Sequence, residues 1–243
     1  MRDLTKWPRL LVRGVTVTEE QADEILIRTC VPAYLSGNDR EWGMSVRRVM
    51  GLQNDEAPRE LYETGRHEER SAWFREKWAF NDARFQELGL IGLDYLYTSQ
   101  IASSWIGGPH GWCDWNGRIF CNTYNIGKWP STEEVTEEWT QIAEAFPFLD
   151  LTAQLITNEG GYEDHPGELA GQWRVKDGAV THEPEPDKQI VPLPTEEEAE
   201  HAMKWTVADI AYSRFGRERG VTLDRLALAV DRVEQKVRGE GLA

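Results

Sequence analysis

The chain has 243 residues, 40% of them hydrophobic, with 42 Asp and Glu against 27 Lys and Arg for a formal charge of -15. That length can bury a core, and 11 Trp exclude the aromatic-poor composition of a disordered chain. A negative field of this size repels nucleic acid and anionic lipid, whose binding is driven by Lys and Arg displacing counterions, so neither direct nucleic-acid binding nor a membrane partner is expected.

Residues 10–12 read as a short strand. Thr18, Glu19, Glu20 and Gln21 then form a capping box, in which the Thr18 hydroxyl and the Gln21 side chain satisfy free amides at a helix start. Ala22, Ile25 and Leu26 give that helix one apolar face. A second helix is expected from Asp39, with Trp42, Val46, Val49 and Met50 on one side. Residues 53–59, broken by Pro58, read as a loop, and a longer helix over about 68–88 carries Phe74, Trp78, Phe85 and Leu88 at helical spacing.

The period then changes. Residues 93–106 read as a strand, and Asn116-Gly117 joins two strand-like runs with the strongest short hairpin signal, since both residues accept positive φ. Ser131 and Glu134 open another helix whose inner face is Val135, Trp139, Ile142, Ala143 and Phe146, and Pro147 stops it. Strands follow at 149–157 and 169–176, the second turning at Asp177-Gly178. Helices on one face of an antiparallel sheet are the expected arrangement, an α+β ferredoxin-like fold. Residues 182–194 carry four prolines among acids and read as a linker. Two helices are expected beyond it, a C-terminal helical hairpin. The second shows Leu223, Leu226, Val230, Val233 and Val237 at heptad spacing. The expected organisation is therefore an N-terminal mostly helical region (1–92), the ferredoxin-like domain (93–180), an acidic Pro-rich linker (181–194) and a C-terminal helical region (195–243).

Trp112, Trp115, Phe146-Pro147, Leu149, Leu151 and Ala170-Gly171 lie in a pattern that resembles the YubB-type ferredoxin-like domain of plasmid and phage proteins: an aromatic-rich strand, a helix ending in Phe-Pro, and a closing strand with an Ala-Gly step. The opening LTKWPRLLVRGVTVTEEQADEILIRT is similar to accessory proteins of actinobacterial phages. The resemblance implies a phage protein working in the cytoplasm of the bacterial host, and it supplies no catalytic residues. Among such proteins are recombination directionality factors, which bind a large serine integrase and switch it from integration to excision.

The residues with chemical potential each have a structural alternative. His110 and Asp114 could form an acid/base pair, or end a loop and face outward from a strand. Cys113 and Cys121 could be nucleophiles, or small buried residues of an aromatic strand. With Cys30 they make an odd number without metal-type spacing, so no disulfide framework is expected. The opening lacks the apolar stretch of a signal peptide, and no run reaches membrane-spanning length, which fits a reducing cytoplasm. Glu163, Asp164 and His165 are metal-capable, yet adjacent side chains seldom converge on one ion, and neither metal nor cofactor is expected. No phosphate loop, dinucleotide fingerprint or HExxH pair is present.

Trp105, Trp112, Trp115 and Tyr124 could stack bases, form a core or anchor a protein interface; only Arg118 and Lys128 lie near them in sequence. The stripe at Leu223, Leu226, Val230, Val233 and Val237 can dock on its own domain, on a second copy to give a homodimer, or on another protein's helix. Arg214, Arg217 and Arg219 just before it either touch DNA or balance the acidic face. These features favour a non-enzymatic regulator acting by protein–protein binding, to a serine integrase or to a host protein. The alternatives are an acidic inhibitor of a host enzyme or defence system that imitates nucleic acid, and an enzyme whose site is dispersed along the chain.

Overall fold

The computed structural model describes residues 9–14, 16–29, 40–53, 58–90, 119–123, 132–157, 168–183, 214–215 and 222–239. They form an α+β fold with two compact units, residues 1–25 with 91–210 and residues 26–90 with 211–243. The boundary falls within helix α1 (Glu19–Arg28). Its start is the expected capping box: Gln21 N donates to Thr18 Oγ1 at 3.2 Å, and Thr18 N donates to Gln21 Oε1 at 2.8 Å.

The first unit is built on strand β1 (Arg9–Gly14). β1 pairs antiparallel with β2 (Ile119–Thr123) on one side and with β3 (Asp150–Thr157) on the other. β3 pairs with β4 (Glu168–Lys176) and β4 with β5 (Ala179–Glu183), both antiparallel, giving the order β2-β1-β3-β4-β5. β2 and β3 therefore run parallel with β1 between them, and the link from one to the other contains helix α5 (Thr132–Ala145). This is a split β-α-β unit. β5 extends the sheet into residues read from sequence as the start of a linker. It is joined to β4 by a two-residue turn in which Asp177 (φ 50°) and Gly178 (φ 76°) both take positive φ, as an Asp-Gly hairpin requires.

Burial alternates along the strands, so the sheet has two unlike faces. Leu151, Ala153, Trp173 and Val175 are buried. α5 packs on β4 and β5, and Val135, Trp139, Ile142 and Ala143, with Phe146 just past its end, are buried as the period of that helix predicts. Trp173 Nε1 donates to Thr136 Oγ1 on α5 at 2.7 Å, and its ring stacks on His182 of β5 at 4.8 Å. The other face is polar. Arg13 donates to Gln154 at 3.3 Å, Gln154 donates to Gln172 at 2.9 Å, and Arg174 donates to the Leu151 carbonyl at 2.7 Å and to Asp150.

The second unit contains α2 (Arg40–Val49), α3 (Arg59–Glu63), α4 (His67–Glu87) and α6 (Leu223–Val237). α2 packs against α6 and α3 against α4. Leu26, Ile27, Val46, Met50, Leu52, Leu88, Phe215, Leu226, Ala229, Val230 and Val233 are its buried apolar side chains among the described residues. α4 ends in a Schellman motif: Leu90 N donates to Phe85 O and Gly89 N to Gln86 O, with Gly89 at φ 59°. A side chain at Gly89 would also meet the Val237 methyls, so the end of α6 lies directly over this turn.

The units interleave along the chain, where the sequence pattern suggested four consecutive segments. The reason is non-local pairing. β1 belongs to the sheet because Val12 opposes Phe120 and Ala153, partners more than a hundred residues away that hydrophobic period cannot reveal. In the same way α6 packs with α2 and belongs with the N-terminal helices. Of the expected C-terminal hairpin, α6 is described; the helix before it, the 93–106 strand and the Asn116-Gly117 hairpin lie outside the described residues.

Candidate interface of the helical unit

Phe74, Trp78, Phe85 and Leu88 share helical spacing on α4, but the structure does not bury them as one face. Leu88 is buried, Phe74 and Phe85 are half-buried, and Trp78 is 58% exposed. The buried residues within α4 are Lys77 and Asn81, and Arg84 continues their line toward Leu88.

Specific polar contacts set that rotation. Asn81 Oδ1 accepts from the backbone N–H of Gln53 at 2.8 Å, holding the segment after α2 against α4. Arg84 Nε donates to the Met50 carbonyl at 2.8 Å and Nη1 to Glu87 at 2.9 Å, while Nη2 pairs with Glu234 of α6. Glu234 is held from its other side by Arg238 at 2.5 Å. The Arg84 and Glu234 side chains are only 15% and 14% exposed, so this ion pair is largely withdrawn from water. Burial pushes the Arg84 guanidinium down, but hydrogen bonds and charge from Glu234 and Glu87 outweigh it and hold the group above its ordinary value. The Lys77 ammonium sits 5.6 Å from the ring centroids of both Trp73 and Phe74, close enough for a cation–π contribution.

With a polar line turned inward, aromatic side chains flank it and reach the surface. Trp73 meets Phe74 edge-on at 4.9 Å, and Phe74 lies 5.9 Å from Trp78. Phe80, on the other flank, is 49% exposed. Tyr62 on α3 and Leu228 and Val237 on α6 complete the large apolar side chains exposed among the described residues, and every one of them belongs to the helical unit.

The sequence-derived binding residues are redistributed. Leu226, Val230 and Val233 are buried in the unit's own core and Leu223 is half-buried. Their stripe is used internally, and among its members Val237 is exposed. The face of α6 that meets water carries Leu228, which heptad reading passes over. Arg214 is half-buried. Trp105, Trp112, Trp115, Tyr124, Cys30, His110, Cys113, Asp114, residues 163–165, Arg217 and Arg219 lie outside the described residues, as do the side chains of β2, Cys121 among them. Among the described residues no group of His, Cys, Asp and Glu is placed to hold a metal ion, and no helix is long and apolar enough to cross a membrane.

Charge divides with the units. Residues 26–90 and 211–243 hold 17 Lys and Arg against 16 Asp and Glu, a net +1, whereas residues 1–25 and 91–210 hold 10 against 26, a net −16. The helical unit is thus near neutral and carries the aromatics exposed among the described residues, while the sheet unit carries the whole acidic excess. The chain matches no protein-family model, no curated protein and no solved structure.

Proposed function

We propose that this chain is a non-enzymatic phage accessory protein that works by binding another protein through its helical unit. The observation that carries the reading is that, among the described residues, the exposed large apolar side chains, Phe80 and Leu228 among them, all belong to that near-neutral unit. Apolar and aromatic side chains free of a strong local field suit a protein interface, where they bury area without desolvating charge. The specific case is a recombination directionality factor that binds a large serine integrase in the cytoplasm of the bacterial host. The split β-α-β unit supports a ferredoxin-like sheet as the finer description of the first unit.

The test is recombination with the cognate integrase. Wild type is expected to promote excision and inhibit integration. Phe80→Asp and Leu228→Asp, both at exposed positions, are expected to keep the fold by circular dichroism and to weaken both effects. A wild-type protein without effect on either reaction overturns directionality control. The net −16 of the sheet unit favours one second reading, an acidic inhibitor that presents a nucleic-acid-like charge to a basic host enzyme. Inhibition of a host nuclease, relieved by salt and unchanged in Leu228→Asp, would select it.

A further inference from the structure

On α4, Ser71, Arg75, Trp78, Ala79, Asp82 and Gln86 fall within a band about 100° wide, on the far side of the helix from Lys77, Asn81, Arg84 and Leu88. Ser71 is half-buried and the other five are exposed. Arg75 and Asp82 have no ion-pair partner among the described residues, and they stand two turns apart, about 10.5 Å along the axis. Two opposite charges at that separation cannot satisfy each other. They can satisfy a second helix of the same sequence running the other way.

We infer that this face of α4 is a self-association surface, on which α4 of a second copy lies antiparallel about a two-fold axis between Trp78 and Ala79. That axis sets Arg75 level with Asp82 of the second copy, and Asp82 level with its Arg75. Ser71 falls opposite Gln86, a pair that can hydrogen-bond, and Trp78 falls opposite Ala79, a large side chain over a small one that lets the helices close. The charges also select the direction. In a parallel pair Arg75 would face Arg75 and Asp82 would face Asp82, which is repulsive at both levels. A two-fold interface must be self-complementary, and this band is so in charge, size and polarity. The inference takes Trp78 as one anchor of the helical unit's binding surface and in that respect rests on the reading above.

The test is sedimentation of the full chain across about 1–100 µM, with charge-swapped variants. Wild type is expected to dimerise with a Kd on the order of micromolar, as suits an interface of this modest size. Arg75→Asp and Asp82→Arg each place like charges opposite at two symmetric levels, and should weaken the dimer about 30-fold. Arg75→Asp/Asp82→Arg restores the complementarity and should restore the dimer. Both substitutions are at exposed positions, and circular dichroism checks that the fold is kept in all three variants. A wild type monomeric at about 100 µM, single swaps that dimerise like wild type, or a double swap that stays monomeric would each overturn the inference. The readout is oligomeric state without any integrase, so its failure leaves the integrase reading to the recombination assay.

Discussion

Arg84 ties the helical unit together through polar contacts that a single substitution removes. Its guanidinium joins three parts of the unit: the Met50 carbonyl after α2, Glu87 on its own helix, and Glu234 on α6. Arg84→Met keeps much of the aliphatic stem, so packing loss is small and the charge is what is removed. Glu234 then remains as a carboxylate only 14% exposed, with Arg238 as its remaining cation, and the Met50 carbonyl loses a charged donor. Removing one partner of a buried pair costs about 3–5 kcal/mol. Partial access to water and the Arg238 contact lower that here to about 2–3 kcal/mol. In thermal unfolding followed by far-UV circular dichroism this corresponds to a Tm lower by roughly 5–12 °C. Arg84→Met/Glu234→Leu should recover part of the loss, because no carboxylate is then left stranded. A single variant melting within about a degree of wild type, or a double variant whose loss is the simple sum of the two singles, would refute the assignment of this pair as the tie between α4 and α6.

Leu226→Asp or Val230→Asp should unfold the helical unit by placing a carboxylate in its core; a folded variant by circular dichroism would return the α6 stripe to the surface. Trp173→Ala should cost about 3–5 kcal/mol by urea unfolding, since a fully buried ring and its bond to Thr136 are both lost; a loss below about 1 kcal/mol would remove Trp173 from the core of the sheet unit. The Arg174 hydrogen bond, opposed by partial burial and aided by the charges of Arg174 and Lys176, holds the Asp150 carboxyl below its ordinary value of 3.8. Its contribution is therefore complete above that value and is lost as pH falls through the lower folded one. Asp150→Asn should melt below wild type at pH 7, with the gap closing under acid titration; a gap constant with pH would show that the charge contributes nothing.

Local chemistry was readable where neighbouring residues settle the outcome. Thr18 and Gln21 cap α1 because both partners lie within one turn, and Asp177-Gly178 turns because the two residues alone accept its dihedrals. The inner face of α5 was readable for a related reason: Val135, Trp139 and Ile142 are buried over a sheet whose buried described residues include Leu151, Ala153, Trp173 and Val175, so the largest hydrophobes turn inward. α4 shows where this fails. Its apolar residues span a wider arc than one contact can cover, and which part turns inward depends on what the neighbouring segments need. The backbone N–H of Gln53, the carbonyl of Met50 and the carboxylate of Glu234 all require a polar partner, and Asn81 and Arg84 answer them. Satisfying those groups outweighs burying Trp78, because an unpaired buried polar group costs more than one exposed indole loses. A signal was present: Lys77, Asn81, Arg84 and Leu88 follow helical spacing as faithfully as Phe74, Trp78 and Phe85 do. Choosing between the two lines needed Glu234, 150 residues from Arg84, and that distance in the chain is why the exposed face of α4 emerges only from the fold.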